Sequence, residues 1–356
     1  MQPLLILRVH TDLRLGMGHV ARALAIAEPW TALGGRACLA VSGDDRARRV
    51  GAGRHPLLDQ PLPMEAVDLG EALDAPLPEN LQREAQVVLV DQWDTTASQI
   101  QALRPLKIAV MEDDGEAHEP ADLLFQPYLE GVHFPLGPLK NVQGRKVRPC
   151  ETQHGSCRVL RGLEYVVVSP AATRQRPKRE PIQPLAVRKL LLTFGGTDGP
   201  GLAQRAFDVI RDVVSRGWNG SCTLIAPQGV AGEVVPGCTV LPQMPDLTRR
   251  IADFDAIWCA MGVTLAEALC LGVPVVAWGQ NERQARMIGD VAQSNGCISL
   301  GEGAEADPEA TAEALALWLS PIGQEGRQEQ VRDGMALVDG QGASRVAQEL
   351  WKLVQS

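Results

Sequence analysis

Short apolar runs alternate along this chain with stretches of helical periodicity, the pattern of parallel strands joined by crossover helices. In the first half the strand candidates are Leu4–Val9, Ala37–Val41, Val87–Val90 and Lys107–Val110. From His19 to Trp30, the residues Val20, Ala23, Leu24 and Ala27 share one face at helical spacing, so a helix follows the first strand. Between Val50 and Asn80, frequent Pro and Gly obscure any period and no element is assigned. The alternation restarts in the second half, with strand candidates Lys189–Phe194, Cys222–Ala226, Cys238–Leu241, Ala256–Ala260 and Val273–Trp278. Helical patterns there fall at Gly201–Ser215, Asp246–Phe254, Thr264–Leu271 and Asn281–Ser294, and everything after Asp307 reads as helix.

The two halves are separated at Ser169–Lys189, a basic stretch with four prolines that reads as an exposed linker. The expected organisation is therefore a Rossmann-like domain over 1–168, a linker over 169–189, a second Rossmann-like domain over 190–340 and a C-terminal helix over 341–356. A length of 356 residues suits two such α/β domains, and 45% hydrophobic residues supply their cores.

Charge and composition remove several function classes. Aromatics at 4% and a net charge of -9 argue against a nucleic-acid partner, which needs stacking rings or a basic face. No apolar run approaches the length of a membrane span, and the N-terminal run has no cleavage site behind it. The eight cysteines lack paired CxxC spacing and sit mostly in apolar runs, which reads as reduced thiols in a cytoplasmic protein. Cys150, His154 and Cys157 have no matching second pair of ligands, so they read as a loop and no metal is expected.

Three constellations carry candidate chemistry. The first runs from Arg8 through His10, Asp12, Arg14, Gly16, Gly18 and His19 to Arg22, between the first strand and first helix. In an open parallel sheet this position lies outside the carboxyl ends of the strands, where ligands bind. It lacks the third glycine of the dinucleotide fingerprint, since Arg22 stands there, so NAD is not predicted. His19 falls at a helix start, whose positive end disfavours imidazolium and suits a general base. A capping or core histidine is an equally plain reading of that spacing. Arg8, Arg14 and Arg22 are candidates for anionic or amide groups.

The second constellation is Gly195-Gly196-Thr197-Asp198, ahead of a helix, a candidate phosphate cradle or an ordinary turn capped by Thr197 or Asp198. The third is Met261-Gly262-Val263-Thr264 with Glu267, then Gly272, Pro274, Gln280, Asn281 and Gln284. Its helix start suits phosphate and Glu267 suits ribose hydroxyls, although Glu267 also has the spacing of a capping-box partner for Thr264. Asn281 or Gln284 would close over a nucleotide. Asp91-Gln92-Trp93-Asp94 and Glu112-Asp113-Asp114 each follow a strand, which gathers their acids at the edge that carries His19. They suit sugar hydroxyls, orientation of a base, or a divalent metal for which no His ligand stands at the right spacing. His118 and His133 have no informative context.

Taken together, Arg8…Gly16-x-Gly18-His19-x-x-Arg22, the run Leu191–Asp198, Met244-Pro245-Asp246-Leu247 and Gly262-Val263-Thr264…Glu267…Leu271-Gly272…Pro274…Asn281 resemble one enzyme family. It comprises the UDP-2,4-diacetamido-2,4,6-trideoxy-β-L-altropyranose hydrolases of pseudaminic acid biosynthesis, with their spore-coat-polysaccharide relatives. The resemblance implies a GT-B fold like that of the MurG glycosyltransferase, with two Rossmann-like domains, parallel sheets and a cleft between them. It implies UDP bound mostly by the C-terminal domain and sugar mostly by the N-terminal one, with His19 as the base and no cofactor or essential metal. By the same resemblance, Arg8, His10, Arg14, Gly16, Gly18, Arg22, Asp91 and Asn281 bind substrate. Gly195, Gly196, Thr197, Met244, Gly262, Val263, Thr264, Glu267 and Gln284 bind the nucleotide.

Three places depart from the family pattern. His10 replaces the acid of Arg-x-Asp, Met261-Gly262-Val263-Thr264 replaces Gly-Gly-Ser-Thr, and Gly162-Leu163-Glu164-Tyr165 leads into valines where the family has Leu-Arg-x-Glu-Phe. The expected activity is hydrolysis of a UDP-sugar; a glycosyltransferase and a non-catalytic nucleotide-sugar-binding protein are the alternatives.

Overall fold

The computed structural model describes residues 2–12, 17–54, 60–93, 95–113, 115–118, 120–128, 140–142, 145–147, 151–196, 198 and 201–355. Its strands are β1 Leu4–Thr11, β2 Arg36–Gly43, β3 Glu65–Asp68, β4 Val87–Asp91, β5 Lys107–Met111, β6 Leu123–Gln126, β7 Lys140–Val142, β8 Arg145–Val147, β9 Glu151–His154 and β10 Cys157–Arg161. The second half adds β11 Lys189–Thr193, β12 Ser221–Ile225, β13 Cys238–Leu241, β14 Ala256–Ala260, β15 Val275–Gly279 and β16 Ile298–Glu302. The helices are α1 Gly18–Ala32, α2 Asp45–Gly51, α3 Glu79–Glu84, α4 Ala97–Gln101, α5 Pro170–Gln175 and α6 Leu202–Ser215. They continue with α7 Leu247–Arg250, α8 Val263–Leu271, α9 Glu282–Gln293, α10 Pro308–Leu319, α11 Gln324–Leu337 and α12 Gly342–Gln355.

The chain divides into two units, Met1–Val167 with Gln341–Ser356, and Val168–Gly340. In the first, eight strands run in the order β3-β2-β1-β4-β5-β6-β10-β9, parallel except for β9 against β10. In the second, six parallel strands run β13-β12-β11-β14-β15-β16. Both orders reverse direction at one place, β1/β4 and β11/β14, and an open α/β sheet forms its ligand crevice at the carboxyl end of such a reversal.

The central strands are apolar on both faces because helices cover both. Leu5, Leu7 and Val9 of β1 pack with Val20, Ala23 and Ile26 of α1. The alternate residues Leu4 and Ile6 pack with Ala40, Val88, Val90 and Ile100 on the other face. In the second unit, Phe194, Trp258 and Trp278 form a buried aromatic cluster, with the two indoles 4.4 Å apart. Strands β3 and β16, which the sequence pattern leaves unassigned, are short and half-exposed, so their alternation has little contrast.

Two boundaries differ from expectation. Residues 169–189 are part of the second unit and do not form a free linker. Arg176 donates to the carbonyl oxygens of Cys270 and Val338, both at 2.8 Å, and of Met335 at 2.7 Å. Those are carbonyls at the ends of α8 and α11, where a cation is favoured by the helix dipole. The final helix α12 returns to the first unit: Val346, Ala347 and Leu350 join its core, and Trp351 lies edge-on to Trp30 at 5.0 Å.

Candidate active site

The first unit brings His19, Arg22, Asp91 and Glu112 into one buried cluster at the β1/β4 reversal. His19 and Arg22 sit three residues apart on the first turns of α1, so both side chains leave the same side of the helix. Asp91 ends β4, and its register with Val9 of β1 turns it to the face that α1 covers. His19 Nδ1 lies 2.7 Å from Asp91 Oδ1. Arg22 closes on the same carboxylate with two forks, Nε to Oδ2 and Nη2 to Oδ1, each 2.7 Å, and its Nη1 reaches Glu112 Oε1 at 2.5 Å. The Trp93 ring stands edge-on to His19 at 5.8 Å.

This geometry assigns the histidine's proton. Burial alone would raise the Asp91 carboxyl, but Arg22 and His19 outweigh it and hold it at about 2. An ionised carboxylate only accepts hydrogen bonds, so Nδ1 donates to it, and Nε2 is the ring nitrogen left to exchange a proton. Arg22 Nη2 comes within 3.3 Å of Nδ1 because both donate to the same Asp91 oxygen. Arg22 itself is held more firmly protonated: burial works against that, and Asp91 and Glu112 more than compensate. His19 is thus an oriented imidazole rather than a helix cap, since no side chain of the described residues caps α1.

Arg8 and His10 do not join this cluster. They alternate with Leu7 and Val9 and therefore lie on the opposite face of β1. Arg8 donates to the carbonyl oxygens of Leu73 and Ala75, at 3.1 and 2.8 Å, and pins that stretch of chain; burial lowers its proton affinity. His10 Nδ1 pairs with Ser42 Oγ at 2.9 Å, the residue opposite it in the β1/β2 register. Gly18 opens α1 and is exposed, with no atom within 4 Å of where a Cβ would stand. Arg14, Gly16, Thr197, Asp94, Asp114 and His133 lie outside the described residues.

In the second unit three strand-to-helix junctions meet the carboxyl edge, and they differ in what fills the helix start. At α6, Asp198 accepts from the amides of Leu202 and Ala203 at 2.8 and 3.0 Å, so a carboxylate already occupies the anion position. Burial raises Asp198 above the ordinary carboxyl range, against the pull of those two amides. At α9, Asn281 accepts from the Gln284 amide at 3.0 Å while Gln284 Oε1 accepts from the Gln280 amide at 3.1 Å. At α8, Gly262 is the cap and contributes no side chain. Its φ of +146° is open to glycine and strained for any other residue, and among the described residues no side chain caps the first amides of α8. Gly195 (φ +95°) and Gly196 are exposed, and Gln280 Nε2 donates to Phe194 O at 2.5 Å, tying the β11 and β15 loops together.

Glu267 lies on α8, but not as a capping-box partner of Thr264, because the cap is Gly262. It is 3% exposed; Oε2 accepts from Thr248 Oγ1 at 2.8 Å and Oε1 from the Ser169 amide at 3.3 Å. Burial pushes its carboxyl up, and the bonds from Ser169 and Thr248 pull it back. Met244 is buried, while Gln243, Pro245 and Asp246 around it are exposed. The roles of Thr248, Gln280 and Ser42 have no signal in the sequence, since each acts through a partner on a different element. Among the described residues, no cluster of three His, Cys, Asp or Glu side chains suits a metal, and no helix is long and apolar enough to cross a membrane.

No protein-family model matches the chain. Over 210 residues it is 26% identical to the spore coat polysaccharide biosynthesis protein SpsG of Bacillus subtilis, a stretch covering 56% of this chain and 60% of that protein. The chain thus matches about 60% of the length of this curated relative. Its fold resembles that of MurG from Acinetobacter baumannii, with a TM-score of 0.58 and 13% identity over 98% of this chain and 99% of the other. It also resembles the forosaminyltransferase SpnP, with a TM-score of 0.60 and 12% identity over the whole of both chains. A third similar fold is TcCGT1 in complex with UDP, with a TM-score of 0.57 and 11% identity over 99% of this chain and all of the other. Such identities speak for fold alone. The chain therefore has the fold of these two-sheet α/β glycosyltransferases and, over rather more than half its length, is similar in sequence to SpsG.

Proposed function

We propose that the protein hydrolyses a UDP-activated sugar, with His19 as general base. The observation that carries this reading is the 2.7 Å bond between His19 Nδ1 and an Asp91 carboxylate kept ionised by Arg22. That bond fixes one tautomer and leaves Nε2 to take a proton, the arrangement a base needs. Water attacks the anomeric carbon, its proton passes to Nε2, and the bond from that carbon to the diphosphate oxygen breaks. The products are the free sugar and UDP. Negative charge then grows on the leaving diphosphate, and the bare amides of Val263 and Thr264 at the α8 start are suited to receive it.

The rest of the second unit is given to the nucleotide. Gly195 and Gly196 admit close approach of the diphosphate. Glu267, its oxygens held by Thr248 and the Ser169 amide, orders the wall beside the ribose, and the exposed neighbours of Met244 meet the uracil. Asn281 and Gln284 shape the loop before α9 beside it. The motif resemblance favours a diacetamido-trideoxy sugar of pseudaminic-type biosynthesis as the substrate, and the similarity to a spore coat polysaccharide biosynthesis protein fits a role in surface-polysaccharide synthesis.

Transfer to a sugar or protein hydroxyl is the second reading. It is favoured by the similar folds that are glycosyltransferases by name, and the same base would serve it. Incubating the protein with candidate UDP-sugars and no acceptor separates the two. UDP release at catalytic rates, lost in His19→Ala, is the expected result. Release only after an acceptor is added makes the protein a transferase, and UDP binding without turnover of any donor removes both readings.

A further inference from the structure

We infer that Arg22 and Glu112 are positioning residues that hold Asp91 against His19 and, by alternating charge, set the pH range in which His19 works. The inference rests on the reading of His19 as the base. It gives Arg22 a role other than the substrate contact that the family resemblance implies. Arg22 is 11% exposed and spends Nε, Nη1 and Nη2 on two carboxylates, so its charge is compensated inside the protein. A guanidinium so engaged has little to offer a ligand, yet losing it would strand two buried carboxylates.

Glu112 gives a second, independent observation. It sits directly after β5 with a φ of +51°, a region that non-glycine residues seldom occupy. The backbone there is held from both sides: the Glu112 amide donates to Phe125 O at 2.9 Å. The next residue, Asp113, accepts from the Thr95 amide at 3.1 Å and from the Gly115 amide at 2.6 Å. Strain retained at a buried acid that reaches Arg22 at 2.5 Å is the pattern found where side-chain placement serves a site.

Along the cluster the charges alternate: His19 when protonated, Asp91 negative, Arg22 positive, Glu112 negative. The ion pairs that join His19 to Asp91, Asp91 to Arg22 and Arg22 to Glu112 span α1, β4 and the end of β5, with uncharged Trp93 at the edge of the ring. Removing the cation therefore favours imidazolium, and removing the far carboxylate disfavours it. The two changes have opposite signs, which a merely structural role does not produce.

The test titrates the protein labelled with ¹⁵N-histidine, without substrate, identifying the His19 signals by their loss in His19→Ala. The His19 signals are expected to move in opposite directions, toward imidazolium in Arg22→Gln and away from it in Glu112→Gln. Arg22→Lys, which keeps the charge, and Glu112→Asp should stay close to the parent, and circular dichroism should report the same fold throughout. In the UDP-release assay the acid limb of kcat should move in the same two directions, with KM changed less than about twofold. Shifts of the same sign in both Gln variants, or no shift in either, overturn the inference even if UDP release persists. Opposite shifts in the ring titration sustain it even if no UDP-sugar is hydrolysed, in which case the hydrolase reading alone fails. Should Arg22→Gln unfold, Glu112→Gln and Arg22→Lys still decide: a fall in the former with none in the latter is expected, and no fall overturns.

Discussion

The helix starts at the two sheet reversals solve opposite problems. In the first unit the start of α1 is crowded with ionised side chains, and Asp91, Arg22 and Glu112 neutralise one another around a single imidazole. In the second unit the start of α8 has a glycine cap and no charged side chain in its first turn, while neighbouring α6 fills the equivalent place with Asp198. On the proposed reading the first arrangement orients a proton acceptor, and the second offers its dipole and amides to an anion. Similar glycine-bordered turns in the second unit thus differ in what stands at the helix start, Asp198 at α6 and a glycine cap at α8.

The sharpest break in this comparison is Asp91→Asn. It should cut acceptor-free UDP release on the order of 10²–10⁴-fold by losing the fixed tautomer, while UDP affinity by calorimetry stays within about twofold. If release survives, the charged junction is not catalytic. Next in size is Thr264→Glu, which gives α8 what α6 already has. UDP affinity should fall about tenfold or more, while the melting temperature holds or rises, because an acid in a helix's first turn favours the dipole. Unchanged UDP affinity would move the diphosphate away from α8.

A third effect belongs to acid stability. Asp91 is held at about 2, below its usual 3.8, so its ionised form is stabilised by folding. That contribution is complete above about pH 4 and disappears as pH falls toward 2. It amounts to on the order of 2 kcal/mol, and urea unfolding between pH 2 and pH 6 should show it in the parent and not in Arg22→Met. The smallest expected effect is that of Asp198→Ala, which removes a helix cap. Stability should fall by about 1 kcal/mol with UDP affinity untouched, the mirror of Thr264→Glu. A loss of UDP affinity there would mean that α6 as well as α8 holds the ligand.

The sequence is most legible where one element carries the whole signal. The strand and helix assignments around β1, α1, β11, α6, β14 and α8 agree with the structure to within a few residues, because buried strands and amphipathic helices advertise themselves through period. Gly262 and His19 were visible for the same reason, each being fixed by its own place at a strand-to-helix turn. Legibility ends where function depends on a pair. Arg8, His10 and Arg22 looked alike as polar residues near one turn. The pleat sends the first two to one face of the sheet, and the helix carries the third to the other. Glu267 had the spacing of a capping partner, and only the position of the cap at Gly262, with Thr248 beside it, removed that role.

The amino-acid order by itself determined two α/β units with glycine-bordered helix starts after their leading strands, since local periodicity and turn chemistry act over a few residues. It also fixed which side chains were available for proton transfer and for anion binding. Which of them meet was decided by sheet order and register, which bring β4 beside β1 and the end of β5 within reach of α1 across some ninety residues of chain. Charge compensation acts over a few ångströms of space, whatever the separation in sequence, and so the partners of His19 became known only once the chain had folded.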